Sequence, residues 1–418
     1  MNPDKRVLIL SYVFSHGDAI TGLNVFSGWE KEHLYCATST YSSDIENFKS
    51  IYVLGQSELS PVWPFSLFLK FPSSGVLKEQ PKQSEGSYSG GSIKTALQKT
   101  SRFLFPYGFR KKVTLSKDFC EWIENNNPDY IYTSVSDLAF AKLILLLMDK
   151  YPNIRFVVHL YDDWTLPSYK ILYKGIYQKI CEKKLSAIIK KAYKCLAISD
   201  YMANRYTVRY NKAFEWLPNP IDKPEVVQVK RKNNNVVFMG KILMHNYEAI
   251  LNMAKAITLV NKERNENLRF DVYSTYDYFD HEKMAKEYPC CQFHCWVDHT
   301  EVMNVLRSGR ILYLPITSSK DTQKFTKYSM STKIPEYMSS MTPILYSGPK
   351  DIAMTDLLES SNTAFVINGS SIEEVRDAVV DILENENKVA EICNNANDFV
   401  IKYMTKDIVS DKLHQILN

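Results

Sequence analysis

The sequence lacks any apolar run long enough to cross a membrane. Its longest run, residues 143–148, is far shorter than the ~20 residues of a membrane-spanning helix. The residues before Val7 are polar, and the apolar run 7–10 is too short for the core of a secretory signal. We therefore expect a cytoplasmic protein that can lie at a membrane surface as a peripheral protein.

Clustered cysteines and an excess of charge are also missing. The eight cysteines are scattered, and the one group, Cys290, Cys291 and Cys295 with His294, matches no common zinc spacing, so we expect no bound metal. The net charge of +4 comes with no long basic tract, so we expect no nucleic-acid partner. Weak basicity is compatible with acidic lipid surfaces or phosphorylated ligands.

Nucleophilic serine chemistry has no sequence support either. The chain contains no G-x-S-x-G motif and no Ser/His/Asp arrangement. Ser199 follows a strand-like run and precedes a helical one, so we interpret it as a helix cap.

What the sequence does contain is a repeated alternation of strands and helices. At 418 residues it is longer than one hydrophobic core usually serves, so we predict two domains. Apolar strand-like runs alternate with helical stretches in both halves, which is typical of doubly wound α/β domains with parallel sheets. The predicted strands are 6–11, 34–37, 50–54, 130–133, 155–160, 194–198, 236–239, 268–273, 292–297, 311–314, 343–346 and 364–367.

Two segments interrupt this alternation. Pro218, Pro220 and Pro224 mark a linker, so we predict domains at 1–222 and 223–418, with the last helix packing back on the first domain. Residues 57–113 are rich in proline and polar residues and predict a long mobile loop. Aromatic and basic residues interleave there, as in proteins that sit on the inner leaflet of a membrane; a small satellite core is the alternative. They are Trp63, Phe65, Phe68, Lys70, Phe71, Arg102, Phe103, Phe105, Tyr107, Phe109, Arg110, Lys111 and Lys112.

The segment 331–345 has the chemistry of a nucleotide-sugar site. Ser331 or Thr332 can cap a short helix, whose free N–H groups favour an anion. Lys333 and Glu336 are three residues apart and share one helix face. A cation beside a helix start suits a diphosphate, and a carboxylate one turn later suits the two hydroxyls of a ribose. A surface Lys–Glu pair on an amphipathic helix is the alternative.

These residues also carry a family resemblance. The pattern K-x-x-E-x-M, with Thr342-Pro343 following, resembles the donor-site helix of GT-B glycosyltransferases of the family 4 kind. Further segments resemble the same family in the same order: the loop 16–22, H-x-x-D-D-W at 159–164, I-S-x-x-M at 198–202, P-N-P-I-D at 218–222 and G-K at 240–241. The resemblance implies the GT-B fold, in which two Rossmann-like domains face a cleft, and a nucleotide-sugar donor bound without a metal.

The resemblance also implies roles for particular residues. It assigns catalytic roles to Lys241, Glu336 and His159. Lys241 and Lys333 would together hold the leaving diphosphate. The donor contacts it implies are Gly17, Gly22, Gly240, Lys241, Ser331, Thr332, Lys333 and Glu336. The acceptor or sugar contacts it implies are Asn24, Asp162, Asp163 and Trp164. Asp163 is equally well interpreted as a helix cap. Lys241 is alternatively a surface lysine that caps a strand and does not contact a donor.

The chain departs from the family pattern at two places. Tyr328 stands where an E-x(7)-E pattern ending at Glu336 would have its first glutamate, and no second lysine follows Lys241. We therefore keep three hypotheses open. The first is retaining transfer of a sugar to a saccharide or lipid-linked saccharide in surface polysaccharide synthesis. The second is an inverting or epimerase-type enzyme with Asp18, His16 or Asp162 as base, and the third is a non-catalytic GT-B protein that binds a glycan or partner.

Overall fold

The computed structural model divides the chain into two compact units. The first unit comprises Met1–Leu217 and Ser410–Asn418, and the second comprises Pro218–Val409. The linker prolines therefore lie at the start of the second unit. The structure describes residues 5–12, 23–40, 44–63, 65–67, 71–77, 104, 106, 109–166, 171–225, 233–242, 246–274, 280–295, 297–316, 324 and 326–418.

The first unit is built on an eight-stranded sheet with the order β10-β9-β8-β7-β1-β2-β3-β5. Its pairs are parallel except for the antiparallel pair β3–β5. The strands are β1 Val7–Ser11, β2 Leu34–Thr38, β3 Ser50–Val53, β5 Gly75–Val76, β7 Tyr130–Thr133, β8 Arg155–Leu160, β9 Lys194–Ala197 and β10 Phe214–Trp216, and the antiparallel pair β4 Leu59–Pro61 and β6 Lys111–Val113 stands apart. The helices are α1 Lys117–Asn126, α2 Leu138–Lys150, α3 Lys174–Lys191 and α4 Asp200–Tyr210.

The second unit is built on a six-stranded parallel sheet with the order β13-β12-β11-β14-β15-β16. The strands are β11 Asn235–Met239, β12 Arg269–Tyr273, β13 Cys291–His294, β14 Ile311–Pro315, β15 Ile344–Ser347 and β16 Phe365–Ile367. The helices are α5 Tyr247–Arg264, α6 His281–Glu287, α7 His299–Ser308, α8 Ile334–Ser339, α9 Ala353–Ser360, α10 Ile372–Glu384 and α11 Glu386–Tyr403. The last helix, α12 Lys406–Leu417, begins in the second unit and ends in the first.

Strand order explains where ligands can bind in each unit. In the first sheet β1 lies between β2 and β7, and in the second β11 lies between β12 and β14, so the winding direction reverses beside β1 and beside β11. Ligands of doubly wound folds bind at the carboxyl ends of the strands at such a switch point. The second switch point lies directly before Gly240, and the first lies directly before Tyr12.

The apolar strands form because both faces of each sheet are covered. Residues 7–10 of β1 are at most 2% exposed, and the central strands of the second unit pack against α5, α10 and α11 in one continuous core. The predicted parallel α/β architecture is confirmed. Ser199 caps α4, accepting a hydrogen bond of 3.1 Å from the backbone N–H of Met202, as predicted.

Two sequence expectations need correction. The strand predicted at 292–297 ends at His294, because Cys295 already lies outside the ladder with β12. The loop predicted at 57–113 contains β4, β5 and β6, and most of its remaining residues lie outside the described part of the chain. Arg110 is 3% and Lys111 5% exposed, so these two cations do not face a membrane. The satellite-core alternative holds for them.

Candidate active site

Gly240 ends β11 and makes room for a lysine from another element. Its φ of +150° lies in the region that side chains rarely adopt, and its backbone N–H donates 2.9 Å to the carbonyl of Tyr273. A Cβ at this position would overlap Nζ of Lys333, with Cε 3.0 Å away. The ammonium group therefore lies directly over the backbone at the end of β11, where only glycine leaves space for it.

A tyrosine holds α8 against the same strand end. The Tyr337 hydroxyl accepts 3.1 Å from the backbone N–H of Met239 and donates 3.3 Å to the carbonyl of the same residue. Tyr337 is 1% exposed, and burial raises the pKa of its hydroxyl, so it remains a neutral donor and acceptor. Because Tyr337 is four residues after Lys333, this contact fixes the start of α8 over Gly240. Nothing in the sequence around Tyr337 signals this contact.

Lys241, Lys333 and Glu336 act on one another electrostatically. Burial lowers the pKa of the half-buried Lys333 below the usual lysine value; Glu336 opposes this lowering and Lys241 adds to it. The structure thus brings Lys241 within electrostatic reach of Lys333 and Glu336, which lie more than ninety residues later in the sequence. Such a site can take a doubly charged anion, because each lysine is more easily protonated when the anion is present.

The capping prediction for α8 was wrong. Lys333 itself is the N-cap residue, with no side-chain cap, and Pro335 lies in the first turn. Ser331 instead closes the turn before the helix: its carbonyl accepts 3.1 Å from Ile334, and its hydroxyl accepts 3.4 Å from Lys333. Proline supplies no N–H, so the short helix needs fewer cap bonds than the sequence suggested.

Asn219 contacts the loop that carries Lys333. Its side-chain amide donates 3.3 Å to the carbonyl of Thr332, the residue before Lys333. Its Oδ1 atom is buried and has no hydrogen-bond partner among the described residues. The linker motif P-N-P-I-D therefore reaches the candidate donor site, a contact that proline spacing alone did not reveal.

His159 lies in the core of the first unit. It is 0% exposed on β8; its Nδ1 atom lies 2.5 Å from the Tyr132 hydroxyl, and its ring packs 4.5 Å from that of Tyr161. Burial lowers the pKa of His159 to about 3, while the backbone groups of Leu217 and Ala197 partly oppose this lowering. His159 is therefore neutral at pH 7. Its implied catalytic role stays a prediction, and complete burial does not favour it.

The Asp pair separates into two environments. Asp163 is 3% exposed; it accepts 3.2 Å from the backbone N–H of Thr165 and 3.1 Å from the guanidinium of Arg209. It acts as a cap and an ion-pair partner, which favours the alternative interpretation. Asp162 beside it is exposed. Trp164 is half-buried and packs against a small cluster that includes Ile171 and Cys181, and its implied sugar contact stays a prediction.

The other residues predicted for the first unit are Gly17, Gly22, His16, Asp18 and Asn24, and the structure describes only Asn24. Gly17 and Gly22, and the candidate bases His16 and Asp18, lie outside the described residues. Asn24 is described and half-buried, and its carbonyl accepts 3.2 Å from Ser27. The roles implied for these residues stay predictions.

A buried lysine at the first switch point was missed as a site residue. The Lys111 ammonium contacts the hydroxyl of Tyr12, which follows β1, and lies 3.4 Å from the carboxylate of Asp137. Asp137 also caps α2 through a 2.7 Å bond from Phe140. Lys111 therefore ties the end of β1 to the start of α2. The sequence grouped it with exposed cations, because a single lysine gives no signal of burial.

The described part of the chain shows neither a cluster of metal ligands nor a membrane-spanning helix. The described residues contain no group of three or more His, Cys, Asp or Glu side chains placed to hold a metal ion. The eight cysteines are all described, and all are free thiols. Within the described parts, no helix combines the length and apolar character that a membrane span requires.

One family model and several solved structures are similar to this chain. Residues 233–385 match the family model described as "Glycosyl transferases group 1", which spans Gly240, Lys241, Lys333 and Glu336. No curated protein is similar enough in sequence to count as a relative.

Solved structures with the same fold cover almost the whole chain. HepE (Alr3699) of Anabaena, in complex with UDP, has a TM-score of 0.63 at 10% identity, covering 99% of both chains. Sucrose-phosphate synthase of Thermosynechococcus elongatus has a TM-score of 0.63 at 10% identity, covering 99% of this chain and 98% of the other. WaaG, a glycosyltransferase involved in lipopolysaccharide biosynthesis, has a TM-score of 0.57 at 11% identity, covering 99% of both chains. The chain therefore has the GT-B fold, and residues 233–385 of its second unit match the family model of the group 1 glycosyl transferases.

Proposed function

We propose that this protein transfers a sugar from a nucleotide-sugar donor to a hydroxyl of a saccharide or lipid-linked saccharide. The observation that carries the proposal is the Lys333 ammonium over Gly240, with Lys241 and Glu336 within electrostatic reach. Two cations at the carboxyl end of β11 suit a diphosphate, and this is the switch point of a group 1 glycosyl transferase domain. HepE of Anabaena, which shares the fold, was crystallised with UDP and with UDP-glucose.

The proposed chemistry needs stabilisation of a leaving group. When the bond between the anomeric carbon and the diphosphate oxygen breaks, negative charge grows on that oxygen. Lys241 and Lys333 stabilise this charge in the transition state, and Glu336 holds the ribose hydroxyls. The proton of the acceptor hydroxyl passes to the departing diphosphate, and attack from the same face gives retention. The lysines take the part that a metal ion plays elsewhere, so we propose that no metal is required.

The proposed pathway is supported by a protein of the same fold. WaaG, which shares the fold, is involved in lipopolysaccharide biosynthesis, and we propose surface polysaccharide or glycoconjugate synthesis for this chain as well. We place the protein in the cytoplasm, in peripheral contact with the membrane that carries a lipid-linked acceptor. Hexosyl transfer is the proposed reaction class.

A thermal-shift screen tests the donor proposal first. The protein is heated with UDP, GDP, ADP, CMP and their common sugar conjugates, each with and without EDTA. A ligand that binds only the folded state raises the unfolding midpoint. We expect a shift with one nucleotide diphosphate that EDTA does not change and that Lys333→Ala removes. Lys350→Ala changes an exposed lysine of the same unit and serves as the charge-matched control.

The outcomes separate the hypotheses. A shift that requires a divalent cation would contradict the metal-free mechanism, and a shift that survives Lys333→Ala would contradict the assignment of the diphosphate site. Product analysis by NMR then reports the anomeric configuration. An inverted product would remove the retaining mechanism, and binding without turnover of the nucleotide sugar would favour a non-catalytic protein.

A further inference from the structure

The start of α3 exposes large apolar side chains side by side. Leu172 is 47%, Tyr173 62% and Ile176 61% exposed. Single exposed apolar residues are normal on a soluble protein, but adjacent ones mark a surface that binds something. Because α3 begins at Lys174, these three residues form its tip.

A row of lysines continues from this tip along the same helix face. Lys179, Lys183 and Lys190 follow Ile176 by three, seven and fourteen residues, which is the spacing of one face of an α-helix, and all three are exposed. From Ile176 to Lys190 the row is about 21 Å long at 1.5 Å per residue. The single acidic residue of α3, Glu182, lies three residues after Lys179 at the edge of this face, and its carboxylate pairs with Arg209.

A neighbouring segment widens the apolar tip. The ring of Phe109, 40% exposed, packs edge-to-face on Tyr177 with centroids 5.6 Å apart. Lys142 of α2 places its ammonium 5.9 Å from the same ring. Apolar side chains flanked by cations thus come from three separate elements of the first unit.

We propose that this face is the surface that seats the protein on an anionic lipid bilayer. We call it the α3 stripe, and it consists of Leu172, Tyr173, Ile176, Lys179, Lys183 and Lys190. The proposal rests on the lipid-linked acceptor proposed above and names the surface that brings the protein to it. Charge complementarity selects the occupant, because a row of lysines beside apolar side chains matches anionic headgroups over acyl chains. The stripe replaces the buried Arg110 and Lys111 as the basic part of the membrane contact.

The energetics favour reversible binding. Each lysine near an anionic surface contributes ~1 kcal/mol, which is about fivefold in the partition coefficient. The apolar tip adds the burial of its side chains at the headgroup boundary. Reversing the charge of two stripe lysines is therefore expected to weaken binding at least about 25-fold.

Vesicle co-sedimentation of the full chain tests the proposal. The vesicles are phosphatidylcholine alone or an equal mixture of phosphatidylcholine and phosphatidylglycerol. We expect binding to the mixture only, lost at high salt, weakened about tenfold or more by Ile176→Glu and further by Lys179→Glu/Lys183→Glu. Val208→Glu changes an 84% exposed residue of α4 in the same unit and should leave binding unchanged. Lys117→Glu/Lys402→Glu removes the same charge at exposed positions elsewhere.

Several results would overturn the proposal. They are equal binding to both vesicle types, no binding by the wild type, or equal losses in the stripe variants and their controls. A change in oligomeric state on size exclusion with Ile176→Glu would identify the stripe as a protein interface instead. The nucleotide thermal shift of each variant is measured in parallel. A retained shift with lost vesicle binding separates this surface from the donor site, and a lost shift with retained vesicle binding concerns the donor proposal alone.

Discussion

The ammonium group of Lys333 occupies the space that a side chain at position 240 would need. Gly240→Ala must therefore displace Lys333 and also place a side chain at a φ of +150°. We expect nucleotide diphosphate affinity to fall about tenfold, which is ~1.4 kcal/mol, together with a lower unfolding midpoint. Isothermal titration calorimetry and thermal melting measure the two effects.

Gly175→Ala provides the matched control for this substitution. A Cβ at Gly175 would meet no atom within 4 Å, and the residue lies in the first turn of α3. Alanine is the better helix former, so this variant should be as stable as the wild type or more stable, with unchanged affinity. If Gly240→Ala binds nucleotide as tightly as Gly175→Ala, the proposed placement of Lys333 is wrong.

We expect Lys333 to lower the stability of the ligand-free protein although it contributes to nucleotide binding. The folded-state pKa of Lys333 is lowered, so the charged form is disfavoured in the folded protein, and the unfolded chain binds more protons at pH values between the folded pKa and the usual lysine value. Stability contributed at this site therefore rises as pH increases through the folded pKa towards the usual lysine value. We expect Lys333→Met to raise the unfolding midpoint of the free protein at pH 7 and to remove the nucleotide shift. A lower midpoint without ligand would contradict the sign of this argument.

Much of the fold follows from local patterns in the sequence. Strand β1 is a continuous apolar run over residues 7–10 because both of its faces are covered, and that pattern is visible without any structure. The pair β4–β6 was not predictable, because three-residue strands show no periodicity and their partners are far apart in sequence. Glu58, the residue directly before β4, is fully buried. Its carboxylate accepts a hydrogen bond of 3.1 Å from the N–H of Gly55 and one of 3.2 Å from the Tyr52 hydroxyl.

The candidate site was predictable in its parts but not in its assembly. The resemblance located Gly240 and Lys333 separately, but only packing shows that one makes room for the other. Met341, between α8 and β15, has a φ of +62°, a conformation that non-glycine residues rarely adopt and that its sequence does not signal. Asn219 acts through one hydrogen bond and Tyr337 through two, each to a residue distant in sequence, and sequence spacing carries no signal for them.

Glu336 is expected to contribute to nucleotide binding and not to folding. It lies half-buried in the first turn of α8 beside Lys333. Glu336→Ala should weaken nucleotide affinity about tenfold, because a hydrogen-bonded carboxylate is lost from the ribose, and titration calorimetry measures the change. Cys291→Ser, at a buried thiol of the same unit, should lower the midpoint and leave the nucleotide-induced shift intact. Equal effects of both changes on affinity would argue against a donor-site role for Glu336.

Asn219 is expected to position Lys333 through the Thr332 carbonyl. Asn219→Ala removes one neutral hydrogen bond of 3.3 Å, so we expect a loss in nucleotide affinity of about three- to tenfold. Asn219→Asp should be worse, because a carboxylate repels both the carbonyl and the bound diphosphate. Comparing KM for the donor with kcat distinguishes the two variants from a general folding defect, which would lower the active fraction and leave KM unchanged. Identical KM values in all three proteins would count against the positioning role.

The buried, neutral His159 should make the folded protein less stable as the pH falls. Its folded pKa of about 3 lies below the usual value of 6.5, so the buried ring stays neutral while the unfolded chain becomes protonated. This site therefore contributes stability above pH 6.5 that is lost as pH falls towards 3. Within that window the contribution changes by ~1.4 kcal/mol per pH unit.

His159→Asn removes the titrating group while keeping a polar side chain that can bond the Tyr132 hydroxyl. We expect a lower midpoint at pH 7, because the ring leaves a cavity, but a flatter decline of the midpoint between pH 6.5 and 4 than in the wild type. Melting curves across this range measure the slope. His281→Asn is the control, because His281 is only half-buried, at the first residue of α6. If both variants decline as steeply as the wild type, the loss of stability in acid arises from other groups, and the neutral buried state of His159 does not govern it.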